Sequence, residues 1–101
     1  MKDIVFEKFK ENAIIYKNMN LFFWKTAVEI VQFCEENQIT IWGFDSFQIK
    51  SDGIHPFQEY SPNYSNIEKD KTWEKAQKDL NMLTDTPFVF EIVYDIRECK
   101  R

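Results

Sequence analysis

Asp45 stands in a row that is otherwise apolar. Counting by twos from Ile39 places Ile39, Ile41, Gly43, Asp45, Phe47 and Ile49 on one side of an extended segment. A second carboxylate, Glu59, lies opposite it if the chain turns back at Ser51-Asp52-Gly53 with three loop residues. Two carboxylates side by side repel, and one takes up a proton unless a cation or donors intervene. Such a pair can serve as general acid and base. It can equally be an electronegative spot awaiting a partner's lysine or arginine. A bulge at Gly43 that turns Asp45 outward is the third reading.

The other reactive groups form no recognisable constellation. His55, the one histidine, precedes Pro56 on the same hairpin and faces Ile49 in that register, and it reads as a packing or surface residue. A Cys-His pair with Cys34 or Cys99 has no nucleophile elbow to support it. The two cysteines lack zinc or disulfide-framework spacing and read as free thiols of a reducing compartment. Asp45, Asp52 and Glu59 are hard-cation ligands by type, without the EF-hand pattern. The only glycines, Gly43 and Gly53, make no phosphate loop. The expectation is a protein that is not an enzyme and uses no metal or cofactor.

The elements that must position these residues follow from periodicity. Residues 1–17 lean towards helix, with Ile4, Val5, Phe6 and Phe9 also fitting a short strand. Asn20 suits the N-cap of a helix over about 21–37, with Leu21, Trp24, Val28, Val31 and Cys34 or Glu35 at helical spacing and Ala27 and Ile30 widening the face. Asn37 and Gln38 end it. Residues 39–50 read as a strand and 54–60 as its antiparallel return, with Pro56 marking an edge. A two-residue Asp52-Gly53 turn pairs Phe47 with Gln58. The three-residue turn pairs Phe47 with Phe57, and the cross-strand aromatics favour it. Residues 61–66 form a loop. Ser65 and Glu68 have capping-box spacing, with Asp70 a rival cap, ahead of a helix ending near Leu83. Thr84-Asp85-Thr86-Pro87 breaks it. Residues 88–96 alternate cleanly, one face wholly apolar and the other mixed. The sum is one domain over 1–101, of α+β class: two layers, a small antiparallel sheet covered on one face by helices.

Composition narrows the functions. In 101 residues there are 10 Phe, 4 Tyr and 3 Trp, enough apolar bulk for a core without metal or disulfides. Net charge is −4, and no run of lysine or arginine is free of interleaved acids. That argues against nucleic acid and for a basic protein partner. The N-terminus has the charges of a soluble protein rather than a signal peptide, and no apolar run approaches membrane-spanning length. A cytoplasmic location is expected.

The stretch from Asp45 to Asp70 carries most functional weight. It combines the carboxylates Asp45, Asp52, Glu59, Glu68 and Asp70 with Phe57, Tyr60 and Tyr64 on a hairpin and loop. Asp45, Asp52, Glu59, Tyr60, Tyr64, Glu68 and Asp70 are the candidate partner-binding residues, tyrosines as anchors and acids selecting a basic partner. The alternative for each is a core ring or a solvated acid.

Ile39-Thr40-Ile41-Trp42-Gly43-Phe44-Asp45, Gly53-Ile54-His55-Pro56 and Tyr60, after an amphipathic helix and before Trp73-Glu74, resemble small bacterial immunity proteins. These belong to contact-dependent growth inhibition and related polymorphic toxin systems. The resemblance covers roughly residues 21–83. It implies a cytoplasmic protein that binds a cognate toxin domain, commonly a nuclease, in a one-to-one complex and blocks it. The other classes are a small enzyme using Asp45 and Glu59, with or without His55, and an adaptor that self-associates through the last strand.

Overall fold

In the computed structural model, which describes residues 3–99, the last strand of the sequence forms the centre of the sheet. The elements are α1 (Ile4–Phe9), β1 (Ile14–Tyr16), β2 (Met19–Phe23), α2 (Trp24–Glu36), β3 (Ile41–Lys50), β4 (Gly53–Pro56), α3 (Thr72–Asn81) and β5 (Phe88–Tyr94). All strand pairs are antiparallel, in the order β1-β2-β5-β3-β4. The helices lie on one face of the sheet, as the α+β two-layer expectation has it. β5 is flanked by β3 along most of its length and by β2 at Val89 and Phe90.

The alternation of β5 explains its place. Phe88, Phe90 and Ile92 are buried on the helix face, while Val89 is buried on the opposite face. A strand apolar on both sides belongs in the interior of a sheet. α2 supplies the matching stripe, with Ala27, Ile30, Val31 and Cys34 buried at i, i+3, i+4 and i+7. Gln38, with φ of 57°, stops it in the left-handed conformation, and the Asn37 amide donates back to the Phe33 carbonyl at 2.9 Å.

Two N-terminal expectations change. The lean towards helix in 1–17 holds for Ile4–Phe9 and a 3-10 turn at Lys10–Asn12, but Ile14–Tyr16 is a strand. Asn20 is not an N-cap: it pairs with Ile15 in β2, and the helix begins at Trp24. The cause is a two-residue hairpin at Lys17-Asn18, whose φ values of 48° and 66° are those of a type I′ turn. Leu21 therefore leaves the helical stripe for the second face of the sheet.

β3 is bulged. Ile41 pairs with Tyr94 and Gly43 with Val93, so Trp42 has no residue opposite it. The extra residue reverses the alternation. Ile41, Phe44 and Ser46 point to the helices, and Asp45 and Phe47 to the other side. Segment 57–64 runs beside the bulge as an irregular border. Phe57 N–H donates to the Ser46 carbonyl at 2.8 Å, Tyr64 N–H to the Trp42 carbonyl at 2.8 Å, and Phe44 N–H to the Pro62 carbonyl at 3.3 Å. Buried Ser46 donates its hydroxyl to the Tyr60 carbonyl and its N–H to Ser61 Oγ.

The β3–β4 hairpin takes neither expected register. Lys50 pairs with Gly53 and Phe47 with Pro56, so the two loop residues are Ser51 and Asp52. Gly53, at φ of 137°, is the first residue of the returning strand. A side chain there would begin 3.5 Å from the Tyr16 hydroxyl, because the sheet curls until its outer strands approach each other. Under the curl lies a small second core of Leu21, Phe47 and Val89, flanked by Ile14, Tyr16, Met19 and Ile54. After Pro56 the chain leaves the ladder, and Gln58–Tyr60 is a 3-10 turn rather than strand. The Ser65/Glu68 capping box does not form and Asp70 caps nothing. Asn63 accepts from Ser65 N–H at 2.8 Å, Lys69–Lys71 is a 3-10 turn, and α3 starts at Thr72. At the other end, Ile96 has left the strand for a 3-10 turn that the Asp95 carboxylate caps.

Gly43 is the residue that this arrangement can least exchange. Its φ is 151°, and a Cβ would overlap the Pro62 carbonyl oxygen. Gly43→Ala is expected to lower unfolding stability by about 2–4 kcal/mol, a combination of backbone strain and overpacking. Urea denaturation measures it; a loss near zero means that segment 57–64 yields without consequence.

Candidate functional site

Asp45 does have a carboxylate neighbour across the strands, but it is Glu91 of β5 and not Glu59. The early end of the β3–β4 ladder removes Glu59 from β3. β5, distant in sequence, occupies the other flank. The two half-buried acids share the sheet face opposite the helices. Burial first, and the Asp45 charge second, push the Glu91 carboxyl above its ordinary range. Ion pairs join Lys10 to Glu7, Lys75 to Asp79 and Arg97 to Asp95, and His55 is hydrogen-bonded to Asp52. Among the described residues, neither Asp45 nor Glu91 has a cationic partner.

The bulge shapes the ground beside this pair. A hollow of about 250 Å³ opens where Trp42 and Gly43 leave regular geometry, and Asp45, Val93, Pro62 and Asn63 help line it. Val93 is 40% exposed and continues the Glu91 face by one alternation. The site thus joins two carboxylates, an apolar wall and a concave floor held by the Gly43–Asn63 bridge. Chemically, such an arrangement offers a place for a cationic charge and an apolar surface for the stem that carries it.

The remaining candidates distribute around it. Asp52 is at the hairpin tip, 2.9 Å from His55 Nε2, and that hydrogen bond holds its carboxyl below the usual range. His55 itself faces Gln48, not Ile49. Glu59 and Tyr60 lie on the 3-10 turn across the Ser61-Pro62 ridge from Asp45. Tyr64 is in the core, 2% exposed, and its hydroxyl donates to Asp79 Oδ2 at 2.7 Å. Burial and that carboxylate push the hydroxyl well above the ordinary tyrosine range. Glu68 lines an open depression with Lys71, Lys75 and Lys78, and Asp70 is solvated nearby. Asp45 on one side, and Glu59 and Tyr60 on the other, thus border the same Ser61-Pro62 ridge, while Asp52, Glu68 and Asp70 line neither hollow.

Sequence reasoning missed Glu91 and Met82. Glu91 had a visible signal, as the one charge between Phe88 and Tyr94. Met82, just beyond α3, is 77% exposed and has no signal in the pattern.

Among the described residues, no group of three or more His, Cys, Asp or Glu is placed to hold a metal ion, and no helix is long and apolar enough to cross a membrane. Both cysteines are free and buried, and burial pushes their thiols up. Comparison with known proteins found no family model that matches the chain and no match among curated proteins.

The raised Glu91 carboxyl has a signed consequence. The folded state holds this proton more tightly than the unfolded chain. The corresponding stability is fully present below the ordinary glutamate value of 4.5 and is lost as pH rises through the folded value. At pH 7 the ionised Glu91 is a small liability, from its burial first and from the Asp45 charge second. Glu91→Gln is expected to raise the melting temperature by roughly 1–5 °C at neutral pH, with the gain shrinking as pH approaches 4. A gain independent of pH would show that repulsion is not its source.

Proposed function

We propose that this protein is an immunity-type inhibitor: it binds the toxic domain of a cognate bacterial toxin and blocks it, without catalysing a reaction. The observation that carries this reading is the Asp45–Glu91 pair, two like charges beside a hollow and matched by no cation among the described residues. A folded protein gains nothing from that juxtaposition on its own. A partner's lysine or arginine turns the repulsion into attraction. The net charge of −4 favours the same class of partner, since it attracts a basic surface at long range. The pattern shared with small immunity proteins supplies the kind of partner: a basic toxin domain, and a nuclease would have the required charge.

In this reading the complex is one-to-one, forms in the cytoplasm, and buries roughly 1,200–2,000 Å² in total. The acids mainly accelerate encounter and orient the faces, so association is salt-sensitive. Few contacts dominate the affinity, and the Asp45–Glu91 site is one of them.

The test is growth rescue and pull-down against the toxin domain encoded beside this gene. Rescue with a stable complex is the expected result. Within it, Asp45→Lys or Glu91→Lys is expected to slow association about tenfold or more, with a flatter salt dependence. Lys25→Glu, on the exposed side of α2, is expected to change it less than twofold. Equal effects from the three reversals would move the interface elsewhere, and no rescue would remove the function itself.

A further inference from the structure

Across the Ser61-Pro62 ridge from Asp45 lies a second concave surface, a groove of about 480 Å³ between the Gln58–Tyr60 turn and the end of α3. Its apolar lining comes from Tyr60, Pro62, Met82 and Leu83. Tyr60 is rigid: its ring stacks on Phe57 at 5.6 Å with 7° between planes, and both rings lie against Phe88. Met82, at the other wall, is 77% exposed, an unbranched thioether with three rotatable bonds. A fixed aromatic wall facing an adaptable thioether suits an apolar side chain of variable shape.

Charge decides what carries that side chain. Asp79, in the groove, is already engaged by Lys75 at 3.1 Å and by the Tyr64 hydroxyl. Glu59, also in the lining, has no ion-pair partner among the described residues. A second copy of this chain would bring the same acid and the same net negative charge to the contact. A basic segment brings the opposite.

We infer that the Tyr60–Met82 groove is a second anchor point, which takes an aliphatic or aromatic side chain flanked by lysine or arginine on the same partner that engages Asp45 and Glu91. This inference rests on the binding reading above, and it divides the labour within it. The carboxylate site sets the rate and salt dependence of association. The groove, by removing apolar surface from water, sets the lifetime of the complex.

The experiment uses the whole chain labelled with 15N and with 13C at the methionine methyls. The methionines are Met1, Met19 and Met82, so the groove has a methyl reporter of its own. Three short peptides are titrated at physiological ionic strength: alternating leucine and arginine, alternating serine and arginine, and alternating leucine and glutamate. The expected result is saturable movement of the Met82 methyl and the Thr86 amide with leucine–arginine only. Met82→Ser, a change at an exposed position, is then expected to weaken that binding about fivefold or more, read at Thr86. Equal response to leucine–glutamate overturns the charge requirement. If both arginine peptides move only Asp45 and Glu91, the groove inference falls while the carboxylate site stands. No movement at either place overturns both. Movement of the groove signals with protein concentration alone would make the occupant a second copy and likewise overturn the inference.

Discussion

The unpaired residue at Trp42 is the constraint on which the rest of the molecule depends. A strand that alternated without interruption from Ile41 would carry Asp45 into the helix-covered core and turn Phe44 out to water. The bulge exchanges them. It places the ring of Phe44 edge-on to Phe90 at 5.7 Å, in the middle of the sheet. It brings Asp45 to the opposite face, where its neighbour across the ladder is Glu91. The distortion is held open by a close approach, Gly43 against Pro62 and Asn63, that no side chain would permit. Core packing, the course of segment 57–64 and the carboxylate site thus have one local cause.

The polar tips of the large aromatics fasten the helices to that frame. Trp24 Nε1 donates to the Leu80 carbonyl at 2.7 Å, tying the start of α2 to the end of α3. Trp73 Nε1 donates to the Ile39 carbonyl at 2.7 Å, tying α3 to the approach of β3. Tyr94 donates to Asp3, the cap of α1, at 2.6 Å. Each is a side chain that buries a broad apolar body while its single donor finds an acceptor far away in sequence. Among the described residues every buried side-chain nitrogen and oxygen has a partner. The high aromatic content noted in the sequence therefore serves orientation as well as bulk. Asp45 and Glu91 differ from this pattern: they are half-buried acids set opposite each other with no cation beside them among the described residues.

Legibility followed the range of the interactions involved. The body of α2, the alternation of β5 and the existence of the β3–β4 hairpin depend on neighbours in sequence, and they were readable. The β1–β2 hairpin was not, because its turn is made by Lys17 and Asn18 without glycine, inside an apolar stretch that also suits a helix. The hairpin register failed for a different reason: Gly53 looked like a turn residue, whereas its bare face meets Tyr16 across the curl. The oddity of Asp45 was visible and a bulge at Gly43 was among its explanations. Its true neighbour was hidden, since only the sheet order decides that β5 rather than segment 57–60 flanks Asp45. Tyr64 shows the same limit in reverse, a ring that suits an interface and lies in the core.

The Asp45–Glu91 pair also bears on how stability and function relate in this chain. Either acid could be replaced by its amide without altering shape, and the fold would keep its bulge, its core and its hollow. What the replacement removes is the field over one face. Repulsion between neighbouring carboxylates is screened by water, and a partner that excludes the water must supply a cation or leave them worse off. In the proposed complex, this would make the site selective by a negative criterion as well as a positive one: an apolar or acidic surface that fits the hollow would bury charges it does not match. In the proposed complex, the same feature that weakens the sheet by a small amount restricts what sits on it, and apolar contact in the Tyr60–Met82 groove adds affinity without relaxing that restriction.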